Sequence, residues 1–496
     1  MVTENLIAKM GAPVVGDRKP PIAILGVPFD NVTVADTRRI FGEMIASKKP
    51  HYVATANVDF VVQALGDVEL RRILADADLI LCDGMPLVWA SRLLGNALPE
   101  RVTGSDMVPK LLADAEQNGW RVFFLGGKEE SIARATANVR AKHPKIQLVG
   151  AYSPPFKPLL EMDQEDILRR IKEVQPDILL VAFGCPKQEK WIRMNFEQAG
   201  VPLSIGVGAT IDFLGGIVKR APVWMQRTGL EWIFRLLQEP RRLFRRYFTD
   251  FWVFGRAILR QWWALRGVRN QAKRLNPVSS ESGCGGTCEV VRCSERLDAA
   301  TVREYEELWK QLAACDANLI FDLHQVNYLD STGVGLLVRM QKQLRGKNRQ
   351  LVLAAATPQV QRVLALMKFT EFFALAADLN AARLLIADRA GEKNVVMTVE
   401  MAGKEEVLVW QGDIVAVNEE AVWKMTKLHL EAAAGRGAGL TILLAEVRFI
   451  DSAGVRVMLK TRKEALKLGL KLKFAAASPP VLNVLRILRL EVHLLG

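Results

Sequence analysis

From Pro21 to about Gly208, short apolar runs alternate with amphipathic stretches. PIAILGVPF, HYVATANVDF, ADLILCDG, RVFFLGG, KIQLVGAY, DILLVAFG and LSIGVGA read as buried strands. Between them, SDMVPKLLADAEQNG and EESIARATANVRAKH place apolar residues at helical spacing. Strand and helix in alternation predict an α/β fold, a parallel sheet with helices on both faces. Ligands of such sheets bind beyond the carboxyl ends of the strands.

The pattern changes near Lys219. In APVWMQRTGLEWIFRLLQEPRRLFRRYFTDFWVFGRAILRQWWALRG, Trp, Phe and Arg interleave, and Pro240 is placed to open a second helix at its first turn. NPVSSESGCGGT then has the composition of a linker. Beyond it the sequence repeats. NLIFDLHQVNYLDSTGVGLL and LVLAAATPQVQRVL return as LTILLAEVRFIDSAGVRVML and LKFAAASPPVLNVL. Asp330 matches Asp451, Ala354 matches Ala475 and Pro358 matches Pro479, always 121 positions apart. Constant spacing means two copies of one small α/β unit. The expected division is a sheet domain over 1–218, a basic aromatic appendage over 219–274, a linker over 275–287, and repeats over 288–390 and 395–496.

A chain of 496 residues is too long for one ordinary core, which agrees with several domains. With 50% hydrophobic and 24% charged residues it is not a disordered polymer. The net charge of +13 is concentrated: 14 Lys and Arg stand against 3 acidic residues between Lys219 and Arg274, so +11 of it lies in the appendage. An anionic partner is implied, whether nucleic acid, phosphate or membrane. No nucleic-acid-binding motif accompanies the charge, and interleaved aromatics suit a membrane surface better. The N-terminal residues do not read as a secretory signal, and no run reaches the length of a spanning helix, so the expected location is cytoplasmic. Cys82 and Cys185 sit in apolar runs and read as small buried residues. Cys284, Cys288 and Cys293 lack the pairing of a zinc site and are expected to be free thiols.

Five segments carry candidate chemistry. In TANVDF, Thr55 and Asn57 end a strand and can either face a ligand or cap the next helix. In ILCDGMPLVW, Asp83 follows four apolar residues, where desolvation raises a carboxyl pKa toward that of a general base; Asp-Gly is also an ordinary turn. Arg101, in RVTGSDMVP, can meet a phosphate or lie on the surface before a helix. FFLGGKEES joins a strand to a helix N-terminus but lacks a full dinucleotide fingerprint. In FGCPKQEKWI and SIGVGATIDFLGG, Gln188 and Glu189 lie just past one strand end and Asp212 just past the next. Asp76-Ala77-Asp78 spells a metal-binding DxD, but it precedes a strand, at the wrong edge of the sheet, and reads as solvent carboxylates in a turn.

TANVDF, CDGMPLVW, ERVTGSD, FGCPKQEKW, GVGATIDFLGG and KRAPVWMQRTGLEWIFRLLQEPRRLFRRY, in this order, resemble the WecG/TagA/CpsF glycosyltransferases from about Pro21 to about Gln261. The resemblance implies a Rossmann-like domain with a helical basic appendage. It implies an inverting transferase that uses UDP-N-acetylmannosamine or another UDP-sugar, acts on undecaprenyl-diphosphate-linked N-acetylglucosamine, and needs no metal or other cofactor. By the same resemblance Asp83 is the base and Thr55 helps organise that centre. Asn57, Arg101, Gln188 and Asp212 line the nucleotide-sugar pocket, and Arg235, Arg242 and Arg245 belong to an appendage that closes over the site and touches the inner face of the membrane. Guanidinium groups can stabilise a departing diphosphate without a metal.

NYLDSTGVG and RFIDSAGVR resemble STAS domains, known from anti-sigma-factor antagonists and from the cytoplasmic ends of anion transporters. The resemblance makes Ser331 and Ser452 phosphorylation candidates and implies a protein partner or kinase; the other reading is that both serines are only N-caps. A non-enzymatic STAS scaffold with a degenerate sugar-nucleotide domain is the competing function, and retention of Asp83, Gln188, Asp212 and the arginines argues against it.

Overall fold

The computed structural model describes residues 19–269, 278–283, 288–347, 349–370, 372–391, 397–402 and 405–495. The first half runs β1 (Ile22–Ile24), β2 (Val27–Phe29), α1 (Val34–Ser47), β3 (His51–Ala56), α2 (Val58–Gly66), α3 (Val68–Asp76), β4 (Leu79–Cys82), α4 (Met85–Leu93) and α5 (Gly104–Asn118). It continues through β5 (Arg121–Gly126), α6 (Glu129–Lys142), β6 (Gln147–Tyr152), α7 (Gln164–Val174), β7 (Ile178–Ala182), α8 (Lys187–Ala199), β8 (Leu203–Gly206) and α9 (Thr210–Leu214). Six strands form one sheet in the order β4-β3-β8-β7-β5-β6, every neighbouring pair parallel. Both faces are covered: along β5, Val122 and Phe124 enter one core while Phe123 and Leu125 enter the other. That two-sided burial is why these strands read as continuous apolar runs.

Local chemistry sets the helix starts. Thr33 accepts from the Asp36 amide while Asp36 accepts from the Thr33 amide, a capping box that opens α1. Thr103 caps α5 by accepting from the Asp106 amide, and Gly119 ends it in the left-handed conformation.

One expected strand is corrected. PIAILGVPF is not in the sheet; it folds on itself as the antiparallel hairpin β1–β2 around Leu25 and Gly26, both with positive φ. A two-residue turn of that twist converts an apolar run into a hairpin. The hairpin lies against the first repeat.

The appendage is α10 (Val223–Thr228), α11 (Glu231–Gln238) and α12 (Pro240–Arg269), with Pro240 opening the long helix as expected. Leu243, Asp250, Phe254, Ile258, Gln261 and Leu265 are the buried side of α12. Gln261 accepts from the Leu25 amide at 3.0 Å and donates to the Ala23 carbonyl at 3.1 Å, tying the hairpin to the appendage.

The first repeat comprises β9 (Ser279–Gly283), β10 (Cys288–Arg292), β11 (Arg296–Leu297), α13 (Ala299–Glu304), α14 (Glu306–Ala314), β12 (Asn318–Asp322), β13 (Tyr328–Leu329), α15 (Ser331–Gly346), β14 (Leu351–Ala354), α16 (Pro358–Leu366), β15 (Ala374–Ala376) and α17 (Leu379–Gly391). The second comprises β16 (Met397–Ala402), β17 (Glu405–Ile414), α18 (Glu419–Arg436), β18 (Gly439–Ile450), α19 (Ser452–Lys467), β19 (Leu472–Ala475), α20 (Pro479–Ile487) and α21 (Glu491–Leu495). Each sheet has an antiparallel edge strand, β9 or β16, beside parallel neighbours. Part of the expected linker is therefore structure, because residues 279–283 supply that edge. The duplication extends to backbone detail: Ala355 and Ala476, and Lys368 and Arg489, are pairs of left-handed residues at the same 121-residue offset.

Candidate active site

Asp83 is the first residue beyond β4, and its amide donates to the Ala56 carbonyl at 2.9 Å, which joins the ends of β4 and β3. Burial pushes its carboxyl up to about 6, against the pull of Arg235 and Arg101. A carboxyl with that pKa is ionised at neutral pH yet retains proton affinity, as a general base requires. The expected pH profile has an acid limb near 6, with the rate falling tenfold per pH unit below it. A rate that stays level down to pH 4.5 would remove Asp83 as the titrating base.

The other strand-end residues divide between bracing and display. Thr55 donates to the Gly206 carbonyl at 2.9 Å, pinning β3 to β8. Asn57 caps α2 by accepting from the Phe60 amide at 3.3 Å, so the capping role is the one its carbonyl takes. Gln188 accepts from the Gly184 and Gly208 amides, both at 3.1 Å, and donates to Glu189 at 2.7 Å. It thereby braces the loops after β7 and β8, and its amide is committed to the protein. A Cβ on Gly206 would stand 2.7 Å from Gln188 Nε2, so only glycine lets this brace close. Burial pushes Glu189 up to about 8, leaving it neutral at physiological pH. Asp212 lies in the first turn of α9, partly exposed.

The appendage reaches the site through an ion network. Glu231 on α11 meets Arg101 at 3.4 Å and Arg220 at 3.5 Å, and Asp106 on α5 meets the same two arginines at 3.2 and 2.8 Å. Arg101 is therefore an anchor for the appendage as well as a cation beside Asp83. Arg235 lies 4.9 Å over the Phe213 ring and exerts the strongest pull of any charge on Asp83. Arg246 pairs with Asp59 at 3.2 Å, fastening α12 to α2. Arg245 is exposed, and the Arg242 side chain lies outside the described residues. Sequence reasoning missed Asp106, Arg220, Glu231, Asp59 and Arg246. Glu231 had a signal, as one of three acids in a run of fourteen bases.

Asp76 and Asp78 lie before β4, at the opposite sheet edge from Asp83, but they are not idle. Asp76 pairs with Arg345 of the first repeat at 3.1 Å, while Asp78 pairs with His51 at 3.2 Å and accepts from the Tyr52 amide. The Gly127 amide donates to the Ala182 carbonyl, so the Gly-Gly turn spends a donor on the sheet. Among the described residues no group of three or more His, Cys, Asp or Glu is placed to hold a metal. Cys293 is a buried free thiol, Cys288 is buried, and Cys284 lies outside the described residues. The N-caps of α15 and α19 are Asp330 and Asp451, which corrects the capping reading of Ser331 and Ser452. Both serines are fully buried.

Comparison with known proteins agrees with this geometry. Residues 22–267 match the model of the glycosyl transferase WecG/TagA/CpsF family, and residues 284–382 and 398–494 each match the STAS domain. A relative from Bacillus spizizenii, an N-acetylglucosaminyldiphosphoundecaprenol N-acetyl-beta-D-mannosaminyltransferase, is 36% identical over 39% of this chain and 74% of its own length. Proteins of the same name from Bacillus subtilis and Staphylococcus aureus are 34% and 29% identical, over 38% and 45% of this chain and 72% and 87% of their own lengths. With a polarised carboxylate at the carboxyl edge of its sheet and a basic appendage locked over it, the chain belongs to the WecG/TagA/CpsF family of glycosyltransferases and carries two STAS domains behind that catalytic unit.

Proposed function

We propose that the chain transfers N-acetylmannosamine, or a related N-acetylated sugar, from a UDP-sugar to undecaprenyl-diphosphate-linked N-acetylglucosamine, with inversion, for cell-surface polysaccharide synthesis. The observation that carries this reading is Asp83 with its raised pKa beside Arg235 and Arg101. Asp83 takes the proton of the acceptor hydroxyl. The freed oxygen bonds to the anomeric carbon from the face opposite UDP, and the departing oxygen keeps the electrons of the broken bond. Arg235, on the appendage, meets that growing negative charge. The names of the relatives supply the acceptor and the sugar class. The test is incubation with a panel of UDP-sugars and a diphosphate-lipid N-acetylglucosamine acceptor, followed by measurement of UDP. Absence of acceptor-dependent UDP release across the panel would sink the reading.

Arginine-based charge neutralisation makes the proposed reaction metal-independent. Turnover is expected to survive EDTA; loss that Mg²⁺ or Mn²⁺ restores would overturn this part.

The lipid-borne acceptor places the enzyme at the inner face of the membrane. No helix among the described residues is long and apolar enough to cross one. Instead α12 exposes Phe244, Phe248, Phe251, Trp252, Leu259 and Trp263, with Arg241, Arg245, Arg256 and Arg260 exposed among them. Aromatics with flanking cations suit the headgroup boundary. Each basic contact with an anionic surface contributes about 1 kcal/mol and weakens as salt shortens the Debye length. Co-sedimentation with phosphatidylglycerol vesicles is expected to exceed that with phosphatidylcholine and to fall at high salt. Equal binding to both at every salt concentration would eliminate the electrostatic part. Tuning of this activity through the STAS domains completes the proposal.

A further inference from the structure

The two STAS repeats meet the transferase through the same part of their surface. In the first, Asn96 donates to Asp330 at 3.0 Å, Gln261 donates to Ser331 Oγ at 3.3 Å, and Lys342 donates to the Ala77 carbonyl at 2.7 Å. A Cβ on Gly335 would stand 1.7 Å from the Pro21 carbonyl oxygen. In the second, the Ser452 amide donates to Glu69 Oε1 at 2.5 Å, and Arg72 lies 3.7 Å over the Phe449 ring and 3.6 Å from Asp413. Fused domains have many faces to dock by. Here both copies use the Asp-Ser junction between a strand and the following helix, against two different patches of transferase.

The second contact has a direct mechanical link to the candidate active site. Glu69, on α3, is buried, and its other oxygen lies 2.8 Å from Lys190 Nζ. Lys190 also meets Asp67 at 2.7 Å and is itself buried. It lies in the first turn of α8, two residues after Gln188, which holds the Gly184 and Gly208 amides. One carboxylate therefore occupies the amino end of α19 on one side and a lysine next to the Gln188 brace on the other. Free amides and the helix dipole make the amino end of α19 a good seat for such an anion.

We infer that the Asp-Ser junctions of both STAS repeats are docking surfaces whose partner is the transferase domain of the same chain, and that the second, through Glu69 and Lys190, buttresses the Gln188 brace. Any outside group that reaches Ser452 has to displace Glu69 first. The consequence for donor binding rests on the UDP-sugar reading above; the docking and the buttress do not.

The experiment is amide hydrogen exchange on the full chain. In Ser452→Asp a second carboxylate faces Glu69 beside Asp451, and exchange is expected to rise at least about tenfold across α3 and at Gly184 and Gly208. Ser452→Ala is expected to exchange as wild type, because Ser452 Oγ is buried without a hydrogen-bond partner. Adding Glu69→Gln to Ser452→Asp removes the facing charge while its amide oxygen can still accept from Lys190, which Asp67 also holds at 2.7 Å, and protection is expected to return. Wild-type protection in Ser452→Asp would overturn the inference. Failure of Glu69→Gln to restore it would show that the substitution unfolds the repeat and would equally overturn it, as would a rise in α3 without one at Gly184 and Gly208. UDP titrated against the same proteins is expected to bind Ser452→Asp several-fold more weakly than wild type. A wild-type chain that binds no UDP would count against the donor reading alone, since the exchange result stands without it.

Discussion

Asp83→Asn is expected to reduce transfer by about 10²–10⁴ while UDP affinity stays within a few-fold of wild type, the usual contribution of a positioned general base. The amide keeps the shape but cannot take the acceptor proton. The same substitution is expected to raise thermal stability at pH 8. Burial places the folded pKa of Asp83 above its ordinary value, so the stability tied to this group is full below the unfolded pKa and is lost as pH rises through about 6. Above that pH the buried charge is a cost on the order of 1–3 kcal/mol, which a neutral amide removes. Slower and more stable is thus the expected combination, measured by UDP release and by a melting curve at pH 8 and pH 5. The stability gain should shrink to roughly half at pH 5, where the folded carboxyl is largely protonated but the unfolded one is still ionised, and should vanish only below the unfolded pKa. Activity within a few-fold of wild type would take Asp83 out of the mechanism. An unstable variant would mean that its carboxylate is bound by the fold rather than strained by it.

How much of this was visible in the chain depends on the range of the interactions. Five of the six sheet strands are legible because each is buried on both faces and reads as an apolar run, whereas the edge strand β6 is largely half-exposed. Asp83 is legible for a related reason: a charge directly after Leu79–Cys82 has little room to escape the core. The hairpin at Ile22–Phe29 was not, since VPF and IAI look like sheet strands and only the left-handed pair Leu25–Gly26 separates them. Asn57 and Arg101 show the limit of reading roles from strand ends. One accepts from a helix amide and the other spends its charge on Asp106 and Glu231, contacts whose partners lie 3, 5 and 130 residues away. The Glu231 contact is a tertiary choice that local pattern cannot encode. The same holds for Asp76: its sequence position correctly placed it away from the base, but Arg345, 269 residues on, could not be foreseen as its partner.

Arg235→Ala is expected to lower the transfer rate by about 10²–10³, the loss that follows removal of one preorganised charge-stabilising donor. Of the three appendage arginines singled out in the sequence, Arg235 is the one whose charge acts on Asp83, and it is held over Phe213. Its removal has two separable consequences. The departing diphosphate loses a cation, which lowers the rate at every pH. Asp83 also loses the charge that most offsets its burial, so its pKa rises and the acid limb of the pH profile moves above 6. Arg235→Lys keeps the second effect small, because a point charge remains. It loses the planar fork that suits a diphosphate, so it should restore the acid limb more fully than the rate. Vesicle binding is expected to change little, because Arg235 is partly buried on α11 while the exposed aromatic and basic stripe lies on α12. The measurement is kcat against pH for the three proteins on a water-soluble acceptor analogue, beside co-sedimentation with anionic vesicles. A large loss of sedimentation with little loss of turnover would assign Arg235 to the membrane instead of the leaving group. A rate loss with an unmoved acid limb would separate it from Asp83.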